Sequence, residues 1–214
     1  MDRAMIKGDE DEKREQKRNT IMQAALKVFS RKGYSPAALE EVAREASIAK
    51  GTLYLYFRDK ADLFSSTILF VINRLVEIMR ENISKSMGPL EVMRSIAYTE
   101  LEYFAKNTEF FGLIRTAMGT NLLGDHENLF SIISDKRLEL VQYLTQIVQS
   151  AQSEALIRKD IEAEEIVYGY LGMMESALDQ IGFKPEDQEI DIEQKVDTIM
   201  KILLEGIMEG VSGM

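Results

Sequence analysis

The sequence predicts an all-α protein of about nine helices, and three observations support this fold class. Apolar residues recur at three- and four-residue spacing through most of the chain, as they do on helices that pack against a core. No stretch alternates apolar and polar residues between turn signals, which is the pattern of strands. Glycine and proline at residue 33, residues 87–89 and residues 182–191 divide the helical pattern into segments.

Length and composition limit the classes of protein that fit. The 214 residues, 45% of them apolar, are enough for one large or two small domains with a sizeable core. The absence of cysteine excludes disulfides, thiolate zinc sites and cysteine nucleophiles, and the single histidine, His126, does not make a typical metal cluster. No long uncharged apolar run and no signal-peptide pattern occurs, so a soluble, cytoplasmic protein is expected.

The charge is distributed unevenly. The net charge is −10, but residues 13–60 contain 11 Lys or Arg against 5 Asp or Glu, which gives +6 and leaves −16 for the rest. A basic N-terminal module on an acidic body is what a DNA-binding head on a regulatory domain requires.

The first elements are a tail and a long helix. Residues 1–12 are charged and lack apolar periodicity, so they are expected to form a mobile tail. A helix over 13–32 follows, ended by Gly33, where a left-handed conformation is least costly. Lys17 and Arg18 in its first turns are candidates for phosphate contacts, although a solvated basic face is an equally good interpretation.

Residues 38–57 form the segment around which the rest of the chain is organised. Leu39, Val42 and Ala43 give one short helix an apolar stripe, and a break at residues 46–48 follows. A second short helix over 49–57 buries Leu53 and Phe57, which lie four residues apart on one face. This is the helix-turn-helix arrangement, whose second helix enters the DNA major groove.

Residues 33–64 also resemble a known family. They read GYSPAALEEVAREASIAKGTLYLYFRDKADLF and are similar to the signature of the tetracycline-repressor (TetR/AcrR) family, most specifically over KGTLYxYFxxKxxLF at 50–64. The resemblance covers about the first third of the chain, and the remainder matches in length and helical character only. It implies a DNA-binding head over 13–60 and a divergent helical body for ligand binding and dimerisation over 85–214, with no cofactor.

The second motif helix and the residues just after it carry the expected DNA contacts. The candidates are Lys50, Gly51, Thr52, Tyr54, Leu55, Tyr56 and Lys60. Lys50 and Thr52 are expected to reach phosphates or base edges, and the tyrosine hydroxyls to reach phosphates. Gly51 permits a close approach of the backbone, and Lys60 lies at a helix start, where phosphate is favoured. Tyr54 also has a structural interpretation, as a buried tyrosine that braces the motif.

The helices downstream follow from their breaks and caps. A connecting helix over 61–84 is expected to begin after Asp59, whose side chain can cap it. Pro89 begins the next helix, Thr108 can cap a short one after it, and Asp160 can cap the penultimate one. The last four helices are predicted over about 108–118, 127–154, 160–181 and 192–210.

The last two helices carry more apolar surface than a monomer needs, which predicts a homodimer interface. The residues assigned to it are Tyr170, Met174, Leu178, Ile199, Leu203 and Ile207. A two-fold dimer also matches palindromic DNA, whose half-sites lie about 34–36 Å apart. The alternative is that these side chains are simply core.

The middle helices are rich in aromatic residues and methionine, which suit a pocket for an apolar ligand. The candidates for its walls are Tyr103, Phe104, Phe111, Arg115, Met118, Tyr143, Met173 and Met174. Most side chains at such helical spacing are plain core, so this interpretation also stays open.

These features predict a ligand-responsive, sequence-specific transcriptional regulator. It is expected to be a repressor that a small apolar or amphipathic molecule releases from a palindromic operator. An enzyme fits poorly, because the chain has no glycine-rich phosphate loop and no cluster of catalytic residues. The alternative is an all-helical interaction protein with degenerate DNA binding, since Ala37, Ala38 and Ala49 stand where the family often has hydroxyl residues.

Overall fold

The chain is mainly helical in the part that a computed structural model describes, residues 3–108, 110, 112–114, 127–185 and 188–205. Eight helices are given bounds within these residues, and no strand occurs among them. They are α1 Arg3–Lys32, α2 Leu39–Glu45, α3 Lys50–Leu53, α4 Lys60–Asn82, α5 Pro89–Lys106, α6 Glu127–Ser153, α7 Ala163–Gly182 and α8 Ile192–Glu205. The short helix expected after Thr108 lies largely outside the described residues.

The first helix is longer than the sequence predicted. Residues 3–12, expected to form a mobile tail, are helical and continue into α1, so that expectation is wrong for them. Several residues of this segment favour helix, although Gly8, Asp9 and Asp11 do not. Glu10 and Arg14 stand four residues apart with opposite charge, a spacing that supports a helix. Gln16 also donates a hydrogen bond to the Glu12 carboxylate at 3.4 Å. Interactions between neighbouring turns therefore support the helix here, where apolar periodicity is missing.

One compact unit, called the head here, comprises residues 1–74 with 112–130. Its core contains Phe29 of α1 and Phe64 of α4, whose rings meet edge to face with centroids 5.1 Å apart. The rings of Tyr34 and Phe64 also pack together, with centroids 4.8 Å apart. Because Leu63, Phe64 and Ile68 are buried in this core, the head extends beyond its predicted end at residue 60.

The helix ends test the predictions made from capping residues. Gly33 has φ +78° and ends α1, Asp59 accepts a hydrogen bond from the Asp62 amide at 2.8 Å, and Pro89 is the first residue of α5, all as predicted. Asp160 does not cap α7, which begins at Ala163. Its carboxylate instead binds the guanidinium of Arg158, because that charged partner is two residues away.

The second unit, called the body, comprises residues 75–111 with 131–214. Within it α5, α7 and α8 pack against one another. Tyr170 of α7 is fully buried, and its hydroxyl donates a hydrogen bond to the carbonyl oxygen of Met93 on α5 at 2.9 Å. The guanidinium of Arg94 bridges α5 to α8 by binding Glu193 and Asp197.

The residues that the sequence assigned to a dimer interface occupy this core. Tyr170, Met174, Leu178 and Ile199 are buried within the chain, so they do not form a surface that meets a copy, and their assignment is wrong. Their apolar stripe packs on the buried face of α5, so the alternative interpretation of these side chains as core describes them. Leu203 is half-buried, and Ile207 lies outside the described residues.

In the described part of the chain, no helix is both long enough and apolar enough to cross a membrane. No three or more histidine, cysteine or acidic side chains in those same residues are placed to hold a metal ion.

Candidate nucleic-acid interface

The turn between α2 and α3 is built without glycine. Ser47 adopts a left-handed conformation with φ +52°. The amide of Ile48 donates a hydrogen bond to the carbonyl oxygen of Ala43 at 2.9 Å. The amide of Ser47 donates one to the carbonyl oxygen of Arg44 at 3.1 Å. This pair of bonds is the Schellman ending, which usually has glycine in the left-handed position. A serine gives no such signal in the sequence, although the break itself was predicted.

The second motif helix is shorter than predicted. Only Lys50–Leu53 is α-helical, whereas the sequence predicted a helix over 49–57. The chain then continues in a tighter turn, in which the amides of Leu55 and Tyr56 donate to carbonyl oxygens three residues back. Leu53 and Phe57 are both buried, as predicted, so the segment is anchored by the expected apolar edge. Burial of these two side chains, and not a continuous helix, therefore holds the segment in place.

The opposite edge of this segment faces solvent. Lys50, Gly51, Tyr54 and Leu55 are exposed, and Leu55 has 72% of its surface accessible. Thr52 and Tyr56 are half-buried. No atom lies within 4 Å of the point where a Cβ on Gly51 would stand, so the chain itself does not require a glycine here. The exposure of Tyr54 removes its alternative role as a buried brace.

Arg18 contacts the head core from a half-buried position. Its guanidinium donates a hydrogen bond to the hydroxyl of Ser66 on α4 at 3.0 Å and lies 5.1 Å from the centre of the Phe57 ring. The planar guanidinium stacks on aromatic faces and binds hydroxyls at once, which favours this inward position. Arg18 therefore has partners within the head that the sequence did not indicate; its phosphate contact and that of Lys17, which is also half-buried, stay predictions.

Lys60 is also engaged by the protein. Its Nζ donates a hydrogen bond to the carbonyl oxygen of Ser35 at 2.8 Å and lies 4.8 Å from the centre of the Tyr34 ring. Burial lowers the pKa of this ammonium. Lys60 is the first residue of α4, as predicted, and ties the connection before α2 to that helix start. Its contact with DNA stays a prediction.

Lys50 has a partner that sequence reasoning missed. Its ammonium binds the carboxylate of Glu40 in the first turn of α2. The hydrogen bond lowers the pKa of Glu40 and raises that of Lys50. The two residues are ten apart across a turn, so no helical periodicity pairs them. Their opposite charges were the only feature of the sequence that indicated this ion pair.

The expected pocket residues of the body are only partly placed together. Tyr103 and Phe104 meet edge to face with ring centroids 5.5 Å apart, and Phe104 is buried. Met174 is buried in the core, Met173 is half-buried and Tyr143 is exposed. The side chains of Phe111, Arg115 and Met118 lie outside the described residues.

Comparison with known proteins connects this head to a family. Residues 21–67, which contain α2, α3 and the buried anchors, match the family described as bacterial regulatory proteins, tetR family. The HTH-type transcriptional regulator AcrR of Shigella flexneri is 37% identical over 86 residues, which are 40% of this chain and 40% of AcrR. The match spans 56% of the length of the HTH-type transcriptional regulator YerO of Bacillus subtilis and 40% of the length of AcrR, so this chain covers about half of these two relatives.

Two further proteins are similar over nearly the whole chain. The fatty acid metabolism regulator protein of Bacillus subtilis is 25% identical over 200 residues, 87% of this chain and 93% of that protein. The crystal structure of the regulator FadR from Bacillus subtilis in complex with stearoyl-CoA superposes with a TM-score of 0.74 at 19% identity, over 88% of this chain and 98% of that one. At this identity the structural likeness establishes a common fold.

Proposed function

Because the chain belongs to the tetR family of bacterial regulatory proteins, we propose that it is a DNA-binding transcriptional repressor controlled by a small molecule. The observation that carries this proposal is the two-sided segment at 50–57. Its apolar edge is buried through Leu53 and Phe57, and its polar edge is exposed. A segment held rigidly from behind presents its outer side chains in a fixed geometry, which base readout requires.

The exposed edge offers the kinds of contact that DNA recognition uses. Lys50 supplies a positive charge for phosphate, and the hydroxyls of Thr52 and Tyr54 supply hydrogen bonds. Leu55 offers an exposed apolar surface, which suits the methyl group of thymine in the major groove. Sequence-specific binding follows from this mixture, because charge alone would bind every duplex equally.

Binding to a palindromic operator requires two heads, and we propose a homodimer that uses the outer sides of α7 and α8. On α7 the residues Gly169 and Gly172 are exposed, with open space where a Cβ would stand. On α8 the side chains of Ile202 and Leu204 are exposed. Small residues permit a close approach of helices, and exposed apolar side chains gain by burial. The helices are those that the sequence indicated, but the residues are exposed ones instead of the buried stripe.

For the effector we propose an amphipathic acyl compound. The relative from Bacillus subtilis is named for fatty acid metabolism, and the similar FadR structure contains stearoyl-CoA. In this chain, the aromatic pair of Tyr103 and Phe104 and the half-buried Met173 supply apolar surface in the body. An effector that binds one arrangement of the heads more tightly lowers DNA affinity by its coupling free energy, typically about 1–3 kcal/mol.

The first test removes the DNA contacts. The double variant Lys50→Ala with Tyr56→Phe is expected to bind genomic fragments selected by the wild type at least about tenfold more weakly, because charged hydrogen bonds are worth about 1.5–3 kcal/mol. The slope of log K against log salt is expected to become shallower by at most about 0.9, the value of one full phosphate contact. Fluorescence anisotropy at several salt concentrations measures both quantities.

A matched control removes an exposed lysine of the body. Lys106→Ala is expected to leave DNA affinity unchanged, since that lysine lies on α5 and pairs with Glu102. If the wild type shows no sequence preference in a genomic selection, DNA recognition is wrong and the all-helical interaction protein is the better interpretation.

The second test concerns the effector. Stearoyl-CoA added to the complex with a selected operator is expected to weaken DNA binding by about 5- to 150-fold, the range that the coupling free energy allows. Coenzyme A without the acyl chain serves as the control and is expected to have no effect. Unchanged DNA affinity and unchanged melting temperature with stearoyl-CoA would exclude a long-chain acyl thioester as effector, while leaving DNA binding as tested above.

A further inference from the structure

Glu40 and Lys50 form an ion pair on the surface that carries the exposed edge of the motif. Glu40 lies in the first turn of α2 and Lys50 is the first residue of α3, so the pair spans the turn of the motif. The side chains are 60% and 48% accessible, so both stay in contact with solvent. The carboxylate is therefore placed beside the lysine that the proposed function assigns to phosphate.

The neighbouring acidic residues of α2 have other partners. Glu41 binds Lys32 at 2.5 Å, and Glu45 binds Arg31 at 3.2 Å and Lys27 at 3.5 Å. These contacts tie α2 to α1 within the head. The Glu40 contact differs because it takes its cation from the motif's second helix.

Stability does not explain the Glu40 contact. An ion pair with both partners this exposed contributes little to folding, since water and salt screen it. A carboxylate beside a phosphate-binding lysine has a much larger effect on DNA binding. It neutralises the lysine before DNA arrives, and it repels phosphate once the lysine has moved.

We propose that Glu40 is an intramolecular competitor of DNA phosphate for Lys50, so that it lowers DNA affinity and reduces the salt dependence of binding. This inference rests on the proposed DNA-binding function. On binding, Lys50 exchanges the carboxylate for a phosphate oxygen, and the freed carboxylate gathers a cation from solution. The phosphate loses a counterion and the carboxylate gains one, so the net release of counterions is smaller than the phosphate contact alone would give.

The test measures binding of the full chain to a mixed-sequence duplex at several salt concentrations. Glu40→Gln keeps the size of the side chain and removes its charge. It is expected to bind about 3- to 10-fold more tightly at 0.15 M salt, as removal of a competing surface charge allows. Its slope of log K against log salt is expected to be steeper by about 0.9, one additional counterion. Circular dichroism verifies that the variant is folded.

A double-mutant cycle separates competition from plain repulsion. In the Lys50→Ala background, Glu40→Gln is expected to leave the salt slope unchanged and to raise affinity by less than about twofold, because the shared partner is gone. Equal gains in both backgrounds would show that Glu40 only repels phosphate, which overturns the competition. The matched control is Glu45→Gln, the same change of charge on the same helix, which is expected to shift affinity by less than about twofold.

Three other results are decisive. A folded Glu40→Gln variant that binds DNA more weakly would overturn the proposal, because the carboxylate would then accept a hydrogen bond from a base such as cytosine. If the wild type binds DNA and its affinity falls as salt rises, but Glu40→Gln has the same affinity and the same salt slope, the competition is wrong while the proposed function stands. If neither protein binds any duplex, both are wrong.

Discussion

Replacing Phe57 with alanine is expected to lower the free energy of unfolding by about 3–5 kcal/mol and to abolish DNA binding. Phe57 is buried behind the exposed edge of the motif, and the guanidinium of Arg18 lies over its ring at 5.1 Å. Alanine would leave a cavity and remove the surface that holds Arg18 in place. Urea denaturation followed by circular dichroism measures stability, and fluorescence anisotropy measures DNA binding.

The matched control lies two residues earlier. Leu55 is 72% exposed, so Leu55→Ala is expected to change stability by less than about 0.5 kcal/mol while it weakens DNA binding. Phe57→Leu keeps most of the apolar volume and is expected to cost less than the alanine variant. A Phe57→Ala protein as stable as the wild type, with normal DNA affinity, would show that the segment is not anchored through this ring.

Replacing Glu100 with glutamine is expected to stabilise the protein at pH 8 but much less at pH 5. Burial, with a smaller effect of the nearby Glu175 carboxylate, raises the pKa of Glu100 from 4.5 to about 7, and Arg137 only partly offsets this. Arg137 binds Glu175 at 2.5 Å, so its charge is shared with that residue. The folded protein therefore holds the Glu100 proton more tightly than the unfolded chain does.

The sign of the effect follows from this difference. The contribution of protonated Glu100 is fully present below the unfolded pKa of 4.5 and is lost as the pH rises through about 7. Glutamine resembles the protonated acid at every pH. With about 1.4 kcal/mol for each pKa unit, the stabilisation by Glu100→Gln is expected to be about 2–3 kcal/mol greater at pH 8 than at pH 5. Urea denaturation at both pH values measures it.

Glu102 on the same helix provides the control of opposite sign. A hydrogen bond from Lys106 lowers the pKa of Glu102, so its favourable contribution exists above the unfolded pKa and is lost as the pH falls. Glu102→Gln is therefore not expected to stabilise the protein at pH 8. A Glu100→Gln effect that is equal at pH 5 and pH 8 would show that Glu100 titrates normally.

The spacing of apolar residues and the local backbone chemistry were sufficient to predict the helices of the motif and several helix ends. Leu53 and Phe57 are buried as their four-residue spacing indicated. Gly33 and Asp59 act at the ends that their residue types predicted, because a left-handed residue or a capping oxygen is a local requirement. Ser47 takes the left-handed position without a glycine signal, so that turn was predicted as a break without its conformation.

The partners of long side chains were the feature that the sequence did not indicate. Arg18 and Lys60 were assigned to phosphate from charge and position, but each has an aromatic ring and a hydrogen-bond acceptor within the head. Long cationic side chains reach partners far along the chain, and sequence spacing does not identify those partners. The buried stripe of α7 was assigned to a second copy for a related reason: its apolar character predicts burial but not the surface that buries it.

The sequence by itself determined the helical fold class, the position of the motif and the edge of the motif that would be buried. These depend on residue type and on spacings of three and four residues, which are properties of neighbouring positions. Only the tertiary structure decided that Glu40 holds Lys50, that Arg18 supports Phe57, and that Tyr170 is core rather than interface. Each of these contacts joins separate helices, and which helices meet is set by the packing of the whole core.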